Sequence, residues 1–269
     1  MWVDTHCHLD AAEFGGESLA IAGRAHQAGV ERIVIPAVNA GNFATVAALS
    51  RAAAGCRYAL GIHPICVPQA SLDQLELLRA AVYAALADPL LVAIGEIGLD
   101  FFIPALLEPG MREKQEYFYS EQLKLAREVG LPVLLHVRRS QDIVLKYLRR
   151  IETPGGIAHA FNGSFQQAEA FLGCGMKLGF GGAMTFPRAL QIRRLATQLP
   201  MAAIVLETDA PDISPAWLHP ARNSPEQLPA IGALLAQLRG MAVADVALHT
   251  TANAHAVLDR LRLPLAQGG

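Results

Sequence analysis

Leu91-Val92-Ala93-Ile94-Gly95-Glu96-Ile97-Gly98-Leu99-Asp100 is the run that decides the fold. Its first four residues are apolar without alternation, the pattern of a parallel strand covered on both faces. A carboxylate then follows, and Glu96 buried there without a partner would be costly. Either an arginine or a cation in a barrel mouth removes that cost. Outward from this run the same kind of segment recurs, giving eight expected strands: Trp2–His8, Arg32–Val38, Arg57–His63, Leu91–Leu99, Pro132–Arg138, Gly156–Phe161, Lys177–Met184 and Ala203–Thr208. Helical spacing separates them, over Ser18–Ala28, Asn42–Ala54, Leu72–Ala87, Arg112–Val129, Ser140–Ile151, Phe165–Leu172 and Pro187–Leu199. Two more apolar-spaced helices, Pro225–Leu238 and Val243–Leu258, follow the last strand. Strand–helix alternation implies a parallel α/β architecture, and a count of eight favours closure. No GxGxxG follows the first strand, which argues against an open dinucleotide-binding sheet. A closed barrel of this kind needs about 250 residues, so the expectation is one domain, 1–269: a single (β/α)8 TIM barrel with extra C-terminal helices.

Composition narrows the partners. Hydrophobic residues make up 52% of the chain and charged ones 17%, enough for a large core. The net charge of −2 provides no overall basic field, so contact with nucleic acid must come from a few local cations or from bound metal. No run long enough to span a bilayer occurs, and the N-terminus lacks a basic, then apolar, leader; a cytoplasmic protein with no membrane partner is expected, with a monomer favoured. Cys7, Cys56, Cys66 and Cys174 form no CxxC pair and read as reduced thiols.

The chemistry gathers at strand ends. Residues two apart share a strand face, so Asp4, His6 and His8 point together into the barrel while Cys7 turns into the outer layer. His136 ends the fifth expected strand, His159 the sixth, and Asp209 follows the eighth. Singly, each histidine reads as a core residue bonded to backbone. Together with Glu96 they stand at the end where barrel enzymes keep their active sites. Six N/O ligands (His6, His8, Glu96, His136, His159 and Asp209) exceed the need of one tetrahedral zinc and suit two divalent metals bridged by a carboxylate. Imidazole-rich ligation favours zinc, with magnesium or manganese as alternatives. His63, ending the third strand, is a candidate substrate contact; Asp4 and Asp100 are candidate acceptors for ligand imidazoles; Glu207 shares a face with Asp209. His26, His219, His249 and His255 read as solvent-facing.

In this order the motifs resemble the TatD family of metal-dependent nucleases, within the amidohydrolase-like barrels. The matching stretches are Asp4–Asp10, Gly61–Pro64, Gly95–Asp100, Pro132–Arg138, His159–Gly163, Leu206–Pro211 and Arg222–Pro225, and they span nearly the whole chain. The resemblance implies that His6 and His8 bind one metal and His136 and His159 the other, with Glu96 bridging and Asp209 closing the first site. It also implies 3′-to-5′ exodeoxyribonuclease activity, cleaving a phosphodiester with a metal-activated water. Val137, Asn162, Asp212 and Ser224 depart from the commonest pattern, which touches substrate preference and spares the ligands.

On this reading Asp209 takes the water's proton, with Glu96 as its partner in catalysis, while Arg138 and Arg222 hold phosphate as bidentate guanidinium groups. Single-stranded DNA or 3′ ends are the expected polymer, with tRNA as an alternative. Arg139 reads as a solvated charge. Two rival hydrolases share the barrel: a D-aminoacyl-tRNA deacylase, and an amide or ester hydrolase bridging its metals through a carbamylated lysine. Lys114, Lys124 and Lys146 fall in helices and Lys177 at the wrong strand end, which leaves the bridge to Glu96.

Overall fold

The computed structural model describes residues 1–262; residues 263–269, part of the expected domain, lie outside the described residues. β1 (Trp2–Asp4), α1 (Ser18–Gln27), β2 (Val30–Pro36), α2 (Phe43–Ala52), β3 (Cys56–Leu60) and α3 (Asp73–Ala85) open the chain. β4 (Leu91–Asp100), α4 (Met111–Val129), β5 (Val133–Arg138), α5 (Gln141–Leu148) and β6 (Gly156–Ala158) follow. After these come α6 (Phe165–Gly173), β7 (Met176–Phe180), α7 (Leu190–Gln198), β8 (Ile204–Leu206), α8 (Leu228–Arg239) and α9 (Val243–Val257).

Every strand pairs in parallel with the next, in chain order from β1 to β8. Closure runs through the segments just beyond the outermost strands. The Thr5 N–H donates to the Leu206 carbonyl (3.1 Å), and the Asp209 N–H to the His6 carbonyl (2.8 Å). Asp4 reinforces this seam: its carboxylate accepts from the Thr208 N–H (3.0 Å) and hydroxyl (2.6 Å). It binds no imidazole, contrary to the expectation for Asp4. Alternation aims it inward as expected, but the seam brings Thr208 to it first.

Val3, Val34, Ala59, Val92, Leu134, Ile157 and Val205, each from a different strand, form one buried cluster inside the barrel. Ala254, Leu258 and Leu261 join it, so the end of α9 and the turn after it plug the end away from the ligands. The larger core lies between strands and helices and includes Cys7, fully buried as alternation requires.

Six of the eight strands stop earlier than their apolar patterns suggest, while β4 and β5 do not. β1 ends at Asp4 rather than His8, and β6 at Ala158 rather than Phe161. Beyond those points the chain leaves the ladder and turns, with Arg139, Ala160 and Asp209 all at positive φ (53°, 44° and 54°). Such backbone costs non-glycine residues roughly 1–3 kcal/mol each and persists only where surrounding contacts fix it. These turns carry or flank the candidate ligand side chains.

Candidate metal centre

Glu96, 1% exposed, sits at the centre of the C-terminal mouth of the barrel. Its two carboxylate oxygens face different partners. Oε2 lies 3.0 Å from His6 Nε2 and 3.3 Å from His8 Nε2. Oε1 lies 2.8 Å from His159 Nε2, 3.0 Å from His136 Nδ1 and 3.2 Å from His63 Nε2. Asp209 completes the first side, with Oδ1 3.7 Å from both His6 Nε2 and His8 Nε2. All six residues read as ligands from the sequence are therefore together, and His63 is with them.

Backbone geometry makes this convergence possible. Pairing of β4 with β5 shifts register between Ile94 and Ile97, spanning Gly95 and Glu96. A Cβ on Gly98 (φ +142°) would meet the His136 carbonyl at 2.0 Å, so only glycine lets β4 and β5 run this close beside His136. A Cβ on Gly179 would meet Glu207 Oε2 at 2.1 Å, so β7 leaves the space that the Glu207 carboxylate fills.

Electrostatics follow from five imidazoles around buried carboxylates. Burial alone would push Glu96 up, but His63, His159 and His6, with the hydrogen bond from His136, hold it well below the usual carboxylate range. Burial holds His6 down to about 3. For His8 burial also opposes protonation, yet Glu96 and Asp209 lift it to about 9. Asp209 is raised to about 6 by burial, against the pull of His159 and His8.

The donor set fits divalent cations. His6 Nε2 and His8 Nε2 lie 3.4 Å apart and face the same carboxylate oxygen, an N/O cluster of the kind that would hold a divalent cation. Three mutually close groups of ligand atoms occur among the described residues: His6–His8–Asp209, His6–Glu96–His159 and His63–Glu96–His136. His63 differs in chemistry. Its Nδ1 accepts from the Ile65 N–H (3.0 Å), and burial holds the ring down to about 4. The neutral ring then carries its proton on Nε2, so it presents an N–H donor to the cleft rather than a ligand lone pair.

Outer partners orient the rings. His136 Nε2 lies 3.1 Å from Asp100 Oδ2, the carboxylate–imidazole arrangement that exposes Nδ1 for ligation. Asp100 thus behaves as the sequence suggests. Glu207 stands behind His159, with Oε1 3.7 Å from its Nδ1 and accepting from the Ala160 N–H. Sequence reasoning left its role open, and the shared face with Asp209 was the one available signal.

The ligands open onto a cleft of about 830 Å³ that is also lined by Phe102, Arg138, Arg139, Asn162 and Asp212. Arg138 stands at the mouth as expected, its Nη1 3.8 Å from Asp100 Oδ2. Arg222 does not line this cleft. Its Nη1 donates to the Glu13 carbonyl (2.7 Å), its guanidinium covers Phe14, and it borders an adjoining groove of about 880 Å³. His26, His219 and His249 are exposed as expected, whereas His255 is half-buried against the plugged end of the barrel.

Cys7 tests the strand geometry. Cys7→Ser is expected to keep full metal content, because the side chain lies in the outer core, while lowering the melting temperature through a hydroxyl in an apolar layer. Metal loss from the folded variant, measured by elemental analysis, would contradict that placement.

Comparison with known proteins gives a consistent picture. Residues 3–259 match the family described as TatD related DNase. An uncharacterized metal-dependent hydrolase of Escherichia coli K12, YjjV, is 43% identical over 239 residues, covering 88% of this chain and 90% of the relative. A Klebsiella pneumoniae protein named 3′-5′ ssDNA/RNA exonuclease TatD is 31% identical, covering 93% and 95%. The crystal structure of E. coli YjjV superposes with a TM-score of 0.90 at 40% identity, covering 98% of each chain. No single helix among the described residues is long and apolar enough to cross a membrane.

Proposed function

The chain belongs to the TatD-related DNase family of metal-dependent hydrolases, and from that premise we propose that it is a 3′-to-5′ exonuclease of single-stranded DNA using two divalent cations. One observation carries the binuclear reading: the two oxygens of Glu96 face two separate sets of imidazoles. His6, His8 and Asp209 would hold one cation, His136 and His159 the other, and Glu96 both. Imidazole-rich ligation favours zinc over magnesium or manganese. The four free cysteines suit a reducing cytoplasm.

Bound there, the cations supply Lewis acidity toward a phosphoryl oxygen and acidify the attacking water. The chain's own groups do the rest. Asp209, on the His6–His8 side of the centre, accepts the water's proton. His63 donates its Nε2–H to a phosphate oxygen, and Arg138, half exposed at the mouth, holds the phosphate from the other side. Arg222 lies one groove away from the reacting centre.

The test is a metal-titrated panel of single-stranded DNA, RNA, D-aminoacyl-tRNA and a simple phosphodiester. Mononucleotide release from the 3′ end of single-stranded DNA, rising until two cations are bound, is the expected result. Rapid D-aminoacyl-tRNA hydrolysis with inert DNA would move the activity to ester cleavage on the same metals. Full activity with one tight cation would remove the bridge.

A further inference from the structure

Phe102 lies on the rim of the metal cleft, 42% exposed. Two guanidinium groups flank it. The Arg138 carbon Cζ lies 3.9 Å from the ring centroid and that of Arg139 4.6 Å. Neighbouring residues of an extended strand point to opposite faces, so Arg138 and Arg139 would ordinarily diverge. The positive φ of Arg139 (53°) breaks that alternation and brings both side chains to one ring. Beside them Arg112 covers Phe101, its Cζ 4.7 Å from that ring centroid.

This patch is fastened to the reacting centre. Asp100 accepts from the Phe102 N–H (2.8 Å) and the Ile103 N–H (3.1 Å) through Oδ1, while its Oδ2 faces His136 Nε2 (3.1 Å). One carboxylate therefore sets both the aromatic loop and the His136 imidazole. The cleft lining carries charges of both signs. Arg138 and Arg139 stand with Phe102, whereas Asp10, Glu13 and Asp212 line other parts of the cleft wall. The paired guanidinium groups at Phe102 offer a polyanion a cationic place to lie.

We propose that Phe102, with Arg138 and Arg139, is the platform on which the strand lies upstream of the scissile phosphate, one base stacking on the ring and the guanidinium groups holding its phosphates. The platform rests on the exonuclease reading, and its ligand is single-stranded DNA. An exposed aromatic serves any base, because every base has a π-face, and flanking arginines add phosphate contacts. The near-neutral chain thus gains a local cationic track where its overall charge provides none.

Phe102→Leu and Arg139→Gly separate this role from folding and from chemistry. Leucine keeps an apolar side chain without a ring, and glycine suits the positive φ at 139 while removing the guanidinium. Steady-state kinetics on a single-stranded oligonucleotide and on bis(4-nitrophenyl) phosphate, with metals saturating, provide the readout. Phe102→Leu should raise the KM for the oligonucleotide by about tenfold, the loss of one stacked base. Arg139→Gly should reduce the log–log salt dependence of strand binding by about 0.7, the loss of one phosphate contact. Turnover of the small diester should stay at the wild-type value in both. Strand KM and salt dependence equal to wild type in both variants would overturn the platform and leave the exonuclease standing. Equal losses on strand and small diester would assign the two residues to propping Asp100 and His136, and would overturn it too. A wild-type protein that cleaves the diester but no strand would overturn the exonuclease reading itself.

Discussion

Glu96→Gln is expected to leave a folded protein that has lost tight cation binding and whose turnover is down on the order of 10³-fold. The argument starts from the position of the side chain, 1% exposed, with one oxygen toward His6 and His8 and the other toward His136 and His159. Glutamine keeps the shape but replaces a charged oxygen with a neutral amide nitrogen, which donates and cannot ligate. Whichever way the amide turns, both cation positions lose the Glu96 charge, and one of them loses its Glu96 oxygen altogether. Lewis-acid stabilisation of several kcal/mol then disappears, and each 1.36 kcal/mol is a factor of about ten in rate. Elemental analysis after dialysis, with turnover on the preferred substrate, checks both halves. A variant with two tight cations and a near-normal rate would make Glu96 a structural residue.

Asp209→Asn should behave differently, with turnover reduced by about 10²–10⁴ through the loss of a proton acceptor. One cation should remain at the position that His136, His159 and Glu96 would form, because Asp209 stands only on the His6–His8 side. The backbone at 209 is held independently, its N–H bonded to the His6 carbonyl, so the fold should survive. Strand affinity at saturating metal should persist, which makes this variant the reagent for equilibrium salt titrations. Loss of both cations would show that Asp209 anchors the whole centre. Wild-type turnover would hand proton acceptance to another group.

How much of this was legible in the sequence depends on how local the signal is. Strand alternation placed His6 and His8 inward and Cys7 outward because that geometry is set by adjacent residues. The eight apolar runs foretold the barrel, yet six of their ends were drawn too long; β1 and β6, for instance, give way to turns whose backbone bonds reach other segments. Asp4 was expected at an imidazole, but its partner Thr208 lies across a seam that no local pattern reveals. Arg222 was expected near phosphate; the loop that carries it folds onto Phe14 and borders the adjoining groove, a placement that no local pattern announces. Phe102 gave no sign at all. Its importance depends on the positive φ at Arg139, a backbone state that a sequence of ordinary L-residues does not announce.

The seam between β1 and β8 also bears on how such an enzyme is made. Ribosomes deliver chains N-terminal end first, and domains fold as their parts emerge. His6 and His8 leave the exit tunnel early, but their partner Asp209, and the Thr208 that latches Asp4, come roughly two hundred residues later. A nascent chain therefore holds histidines able to scavenge metal without the acid that completes the centre. On this reading the centre is complete only once β8, the last strand made, docks beside β1, the first.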